Sequence, residues 1–469
     1  MRIRLILASL FVLALPALAA AHAVPVEMTP RAGQILDTSP DRVQIIFNEE
    51  IQLLDKADAD VLDQNGQSAL GSPAFVDPSN VRGLILPLRP SLLDGTYTVS
   101  WRVMGPDTHV VPGQTLFGVG VEELAAPVAV AGQGAPSETG PWAVSARTIH
   151  LAALGGLLGL LAFRWLVWRR AWRDEPALTA GERTTVLEWG RDQFWFAFGT
   201  LALFAMITEA YLLVVKSAIA NGLSLLENLE NPAGISEVLA STRFGELVQL
   251  RGALLFVVFG TATWQFLSEF GSSRDPKPAA SVGKAGPAAL MAVLLVAILL
   301  GVAFSGHAAV APIPAFHVAV HAVHLAALAT WIVGLVATVV VLQQLPRIAP
   351  AGGRTMATRV LGAFSSVATI AIAIAFATGA IRAFGHLDSP EQLITTSYGN
   401  LILLKLALLL PIGVLALRSR RVLNALRRIP RPSEAALLMV RRSVTIEIAV
   451  TVLIIIAAGV LAATEPGRV

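Results

Sequence analysis

The chain contains no cysteine among its 469 residues. Disulfides, thiolate metal ligands, a cysteine nucleophile and iron–sulfur clusters are thereby excluded. Charge is scarce as well: Asp, Glu, Lys and Arg make up 14% of the residues, where soluble domains carry roughly 25%. Hydrophobic residues reach 55% and the mean hydropathy is +0.66. A single soluble globule, a disordered chain and a fibrous repeat are ruled out, and most of the chain is expected to lie in lipid. No G-x-x-x-x-G-K-S/T motif occurs, so ATP-driven pumping has no support. Within residues 22–120 the only methionines are Met28 and Met104, which leaves no material for a methionine-rich soft-metal site.

What is present divides the chain. Arg2 and Arg4 precede an apolar core from Leu5 to Leu15, and Ala19 and Ala21 occupy the −3 and −1 positions of an A-x-A site. This predicts a secretory signal peptide over residues 1–21, its core too short for the ~20 residues of a membrane span. Cleavage after Ala21 would make His22 the first residue of the mature chain. Residues 22–120 carry short β-type runs at Val43 to Phe47, Tyr97 to Val103 and Thr115 to Val119, punctuated by turn pairs such as Asn65-Gly66 and Asp94-Gly95. They predict an all-β sandwich or barrel. That region has 12 acidic and 6 basic residues, a balance that suits a cationic ligand and not nucleic acid. Residues 121–141, rich in Ala, Pro and Gly, predict a flexible linker.

Eight apolar runs follow, at Trp142–Phe163, Phe194–Val215, Phe244–Phe266, Ala288–Phe304, Phe316–Val341, Val360–Ala380, Leu401–Leu417 and Val444–Ala463. They predict an all-α, multi-pass membrane domain of about eight helices over residues 142–465. The loops after the first, third, fifth and seventh runs hold 20 Lys and Arg residues, and the opposite side of the membrane domain holds 5. By the positive-inside rule this puts the β domain outside the cytoplasmic (inner) membrane, in the periplasm, as the signal peptide does independently. Glu209, Arg251, Lys405 and Glu447 fall inside the runs. Buried pairing is expected among them, for example Glu209 with Arg251 or Lys405.

On this topology none of the eight histidines falls in a cytoplasmic loop. His22 and His109 belong to the exported domain, His307 and His386 to outer loops, and His150 lies about 12 Å into the first run at 1.5 Å per residue. His317, His321 and His324 sit at i, i+4 and i+7 near the outer end of the fifth run. They form one helix stripe within about 60°, expected to face the bundle interior because imidazoles are costly in lipid. With His307 just before it, the stripe predicts a metal or proton path; polar bonding between helices is the simpler use of such residues.

A second donor group lies in the exported domain. A mature N-terminal His22 offers its α-amine and its imidazole to one chelate ring, and Asp107-Thr108-His109 places a carboxylate and an imidazole two residues apart. If that segment is a strand, both point to one face. Two imidazoles, an amine and a carboxylate form the N/O set favoured by divalent copper, Cu(2+).

The residues that carry these features resemble a known pair of families. His22-Ala23, Thr29-Pro30-Arg31-Ala32-Gly33, the strand ending at Phe47, Asp94 to Val103, Asp107-Thr108-His109 and Gly113 resemble the CopC family of periplasmic copper-binding β-barrels or sandwiches. The resemblance implies a Cu(II) site of His22, Asp107 and His109, although the family's usual D-G-H reads D-T-H here. Residues 142–465 are similar to CopD, through Ser305-Gly306-His307-Ala308, His324-Leu325 with Trp331 to Gly334, Phe364-Ser365, and Tyr398-Gly399-Asn400 with Lys405. The implied function is copper homeostasis or resistance without catalysis: Cu(II) is bound in the periplasm, with periplasmic copper donors as partners, and moved across the inner membrane, usually described as uptake. His307, His317, His321 and His324 would form the mouth of that path. Two further readings stay open: a membrane-embedded haem or metal redox protein, with His150 and one stripe histidine as axial ligands, and a sensing module on a membrane anchor.

Overall fold

The computed structural model describes residues 23–53, 58–106, 108, 110–128, 140–172, 178–270, 285–305, 313–385, 387, 389–426 and 433–463. The predicted leader, His22, Asp107, His109, His307 and His386 lie outside the described residues.

The N-terminal part is a two-sheet sandwich. One sheet has the order β1 (Pro25–Thr29), β3 (Arg42–Phe47), β7 (Gly83–Pro87) and β6 (Phe75–Val76). The other runs β2 (Ile35–Leu36), β9 (Val110–Val119), β8 (Gly95–Met104) and β4 (Gln52–Leu53), with β5 (Ala59–Leu62) also paired to β8. The alternation of strand side chains builds the core: Val43, Ile45 and Phe47 of β3 meet Leu84 and Leu86 of β7 and Tyr97, Val99, Trp101 and Val103 of β8. On the opposite face of β8, Thr96 accepts a bond from the Ala125 amide (2.9 Å) and Thr98 one from Val128 (3.0 Å). The start of the expected flexible linker is thus laid against the sheet; residues 129–139 lie outside the described residues.

The C-terminal part is helical, and each of the eight expected runs falls in a helix. These are α1 (Pro141–Ala171), α2 (Ala180–Asn221), α5 (Arg243–Phe270), α6 (Ala285–Ala303), α7 (Pro314–Ile348), α8 (Gly353–Gly385), α10 (Ser397–Leu426) and α11 (Glu434–Ala463). Six of them, α1, α2, α5, α7, α8 and α10, hold segments long and apolar enough to cross a membrane. Several run beyond the expected limits. With 42 residues α2 is about 63 Å long at 1.5 Å per residue, twice the ~30 Å hydrocarbon layer, and its start is fixed by a Thr179–Glu182 capping box. Two short helices that the sequence reading did not anticipate, α3 (Leu225–Leu229) and α4 (Pro232–Ser241), join α2 to α5, and a third, α9 (Gln392–Thr395), precedes α10. A π-helical turn, Phe163–Trp168, sits near the end of α1. Pro411 lies inside α10 without ending it.

Gly113 of β9 lies against the Trp101 indole, and a β-carbon there would overlap the ring. Gly113→Ala is therefore expected to destabilise the β domain by about 1–3 kcal/mol, read as a lowered unfolding midpoint in tryptophan fluorescence.

Candidate metal centre

Residues next to His22, Asp107 and His109 in the chain are described, although those three are not. Ala23, next to His22, is fully buried in the sandwich core. The Val24 amide donates to Asn48 Oδ1 at 2.8 Å, and the Asn48 amide donates back to Val24 O at 3.0 Å. Pro25 pairs with Phe47 and, five residues beyond Phe47, Gln52 pairs with Met104 at the end of β8. The start of β1 and the β8–β9 connection are thus at the same end of the sandwich. Ala23 and the paired residues Met104 and Val110 belong to that end.

β8 ends at Met104 and β9 begins at Val110. Between them Thr108 has a positive φ of 66°. A β-branched residue in this conformation is strained by roughly 1–3 kcal/mol. Three hydrogen bonds hold it. Its amide donates to Gly105 O (3.0 Å), its hydroxyl donates to Ser305 O (3.2 Å), and its carbonyl accepts from Lys216 Nζ (3.2 Å). A glycine would suit the backbone better but would lack the hydroxyl that reaches Ser305.

Ser305 and Lys216 belong to the membrane part, so this end of the sandwich is docked on the helices. Met104 and Val110 are buried in one cluster with Ala143 and Ala146 of α1, Leu212, Val215 and Ile219 of α2 and Phe244 of α5. The Arg102 guanidinium, 3.1 Å from Asp58, covers Gly222, the left-handed cap of α2.

Beneath Thr108 a polar chain enters the bundle. Ser305 Oγ accepts from Arg251 Nη1 at 2.8 Å and donates to Gly301 O at 2.8 Å. Arg251 Nε and Nη2 both donate to Glu209 Oε1, at 3.0 and 2.7 Å. Glu209 Oε2 lies 2.8 Å from His150 Nε2, and His150 Nδ1 lies 3.1 Å from Thr208 Oγ1. Arg251, Glu209 and His150 are each no more than 3% exposed. Of the pairings expected for Glu209, the structure forms the one with Arg251. With Nδ1 at Thr208 and Nε2 against a carboxylate oxygen, His150 has no open side for an axial haem ligand.

The three stripe histidines are half-buried on α7. Phe316 packs edge-on against the His317 ring, with centroids 5.4 Å apart. His324 turns to α8, where Nδ1 is 3.0 Å from Thr378 Oγ1 and the missing side chain of Gly379 leaves room for the ring. Arg382 and Lys405 are the charged neighbours of His324. Among the described residues no three His, Asp or Glu side chains converge as a metal-holding group.

Known proteins match the same divisions. The model of the CopC domain matches residues 25–120, that of the copper resistance protein D-like N-terminal domain residues 138–312, and that of copper resistance protein D residues 358–461. The copper transport protein CutJ of Bacillus subtilis (strain 168) is 24% identical over 401 residues, which are 84% of this chain and 67% of CutJ. Protein YobA of Escherichia coli (strain K12) is 29% identical over 99 residues, 21% of this chain and 79% of YobA. Among solved structures, CopC from Methylosinus trichosporium OB3b is 28% identical, covers 22% of this chain and 100% of its own, and gives a TM-score of 0.19. PcoC, a methionine rich copper resistance protein from Escherichia coli, is 24% identical, with coverages of 21% and 99% and a TM-score of 0.17.

Glu209 is the partner that keeps the Arg251 charge compensated. Glu209→Ala is expected to cost about 3–5 kcal/mol, measured as a fall in thermal midpoint of the purified protein. A midpoint unchanged from wild type would remove the ion pair from the account. Taken together, the matches and the two-part fold make this chain a CopC–CopD fusion, a copper-handling protein in which a CopC domain precedes copper resistance protein D-like membrane domains.

Proposed function

We propose that the chain captures Cu(II) in the periplasm and passes it inward across the cytoplasmic membrane, in which it sits as a multi-pass protein. Removal of a leader over residues 1–21 would free the amine of His22, which with its own imidazole, the Asp107 carboxylate and the His109 imidazole would hold the ion. His307, His317, His321 and His324 would form the mouth of the inward path. The chain would divide into the copper-binding domain at 22–120, a connecting segment at 121–141 and the membrane domain at 142–465. It would act as a carrier and not as an enzyme, with the copper ion and the surrounding lipid as its partners and periplasmic copper donors upstream.

One observation carries this reading: Thr108, the residue between two of the proposed ligands, is bonded to Ser305 and Lys216 of the helical part. An ion held by its neighbours would already stand at the outer end of the bundle, so release and entry need no long diffusion step. The chemistry of the donors supports copper, since nitrogen and oxygen ligands select Cu(II) and the order of divalent affinities peaks at copper. Likeness to CutJ, named a copper transport protein, supports movement across the membrane. The inward direction follows the CopD resemblance.

Removal of His22, or retention of the leader, should lower Cu(II) affinity by on the order of a hundredfold or more, beyond the usual effect of losing an outer-shell partner. Titration with Cu(II) followed by type-2 EPR reads this, and undiminished affinity would remove His22 from the site. His321→Ala combined with His324→Ala should lower copper accumulated by cells while external Cu(II) binding persists. Unchanged accumulation would remove the stripe from the path.

A further inference from the structure

We propose that His150 is a proton-loading site, built by Thr208 and Glu209 and lying directly beneath the docked copper loop. The protonation itself rests only on geometry; its link to copper rests on the transport reading above.

The argument is a count of hydrogens. The Thr208 hydroxyl has one proton and two acceptors within reach, His150 Nδ1 at 3.1 Å and Ala205 O at 3.0 Å. When the hydroxyl donates to Nδ1, the imidazole is neutral and its only proton is on Nε2, the nitrogen that lies 2.8 Å from Glu209 Oε2. When the hydroxyl turns to Ala205 O, its oxygen becomes an acceptor, and Nδ1 can carry a proton toward it. Nε2 keeps its own proton against the carboxylate, so the ring is then an imidazolium. Both states fit the same heavy-atom positions. Loading one proton at Nδ1 requires the rotation of one hydroxyl and no movement of a helix.

Charge favours His150 over Glu209 as the place of that proton. Two Arg251 nitrogens donate to Glu209 Oε1, which holds the carboxylate ionised. Glu209 and Arg251 cancel, so a proton on His150 is the net charge of the cluster. Around this pair α1 also brings Arg147 and α2 brings Lys216; α7 brings His317, His321 and His324, α11 brings Glu447, and α6 brings no ionisable side chain.

The location gives the proton a use. Ser305 connects Arg251 to Thr108, so three residues, Glu209, Arg251 and Ser305, link His150 to the proposed copper loop. A cation arriving at the loop and a proton on His150 repel each other across a water-poor interior, where such repulsion is strong. Copper arrival would expel the proton, and copper departure would restore it.

The test uses the full chain in lipid vesicles, with histidine labelled with nitrogen-15, and no metal. Solid-state spectra across acid and alkaline pH should show one imidazole passing from one protonated nitrogen to two, identified by its loss in His150→Gln. Thr208→Val, which keeps shape and removes the acceptor, and Glu209→Gln, which removes the charge, should each lose the doubly protonated signal at a pH where wild type shows it. A His150 signal that stays singly protonated throughout, or that titrates identically in both variants, would overturn the proposal. In a second arm, Cu(II) alone is added outside vesicles holding a pH dye. Wild type should show a proton movement that accompanies copper entry, and Thr208→Val should lose it. Copper entry without any proton movement in wild type would overturn the link to copper. Vesicles that take up no copper would contradict the transport reading and leave the protonation to be decided by the spectra.

Discussion

A guanidinium cannot rest in the hydrocarbon layer unless opposite charge and hydrogen-bond acceptors surround it. Arg251 is the largest fully buried side chain among the described residues, and meeting its needs organises the outer half of the bundle. Glu209 on α2 supplies the charge, and the Ser305 hydroxyl beyond α6 supplies the remaining good acceptor. One side chain thereby joins three segments. Because Ser305 also accepts from Thr108 through its carbonyl, the demand of a buried charge is passed outward to the loop of the β sandwich. The apolar contact of Met104 and Val110 with α1, α2 and α5 then seals this junction from water.

This junction changes what the two-part architecture means. A binding domain on a loose tether would raise the local concentration of its ion near the membrane and no more. A docked domain fixes the loop around Thr108 relative to the helices. The strained backbone of Thr108 fits this view, since left-handed β-branched residues persist where surrounding contacts over-determine them. In this chain the extra contact is the hydroxyl bond to Ser305, which the glycine usual in the family could not make. The departure from the family pattern thus corresponds to a specific interdomain contact.

Much of this was legible in the sequence, and the rest was hidden for definite reasons. Alternation from Tyr97 to Val103 marked β8, and apolar runs marked all eight helices, because burial writes its period into composition. The Glu209–Arg251 pair could be anticipated, since buried opposite charges find one another. Helix limits were read too short, as with α2, because its polar ends leave the hydrocarbon while the helix continues. The left-handed backbone at Thr108 had no sequence signal, because β-branched residues seldom adopt it. The pairing of His150 with Glu209 needed the packing of α1 on α2, which no local pattern encodes. Lys216 gave no signal, since its partner is a backbone carbonyl.

The claim on which the account turns is that the β domain is docked rigidly, with the Thr108 loop against the helices. The absence of native cysteine makes a direct measurement available: Leu93→Cys, at an exposed site of the sandwich, and Leu226→Cys, at an exposed site of α3, spin-labelled together in the full chain in lipid. Pulsed dipolar EPR should return one narrow distance distribution, which broadens when Thr108→Gly and Ser305→Ala loosen the junction. A distribution already broad in the parent would contradict the account.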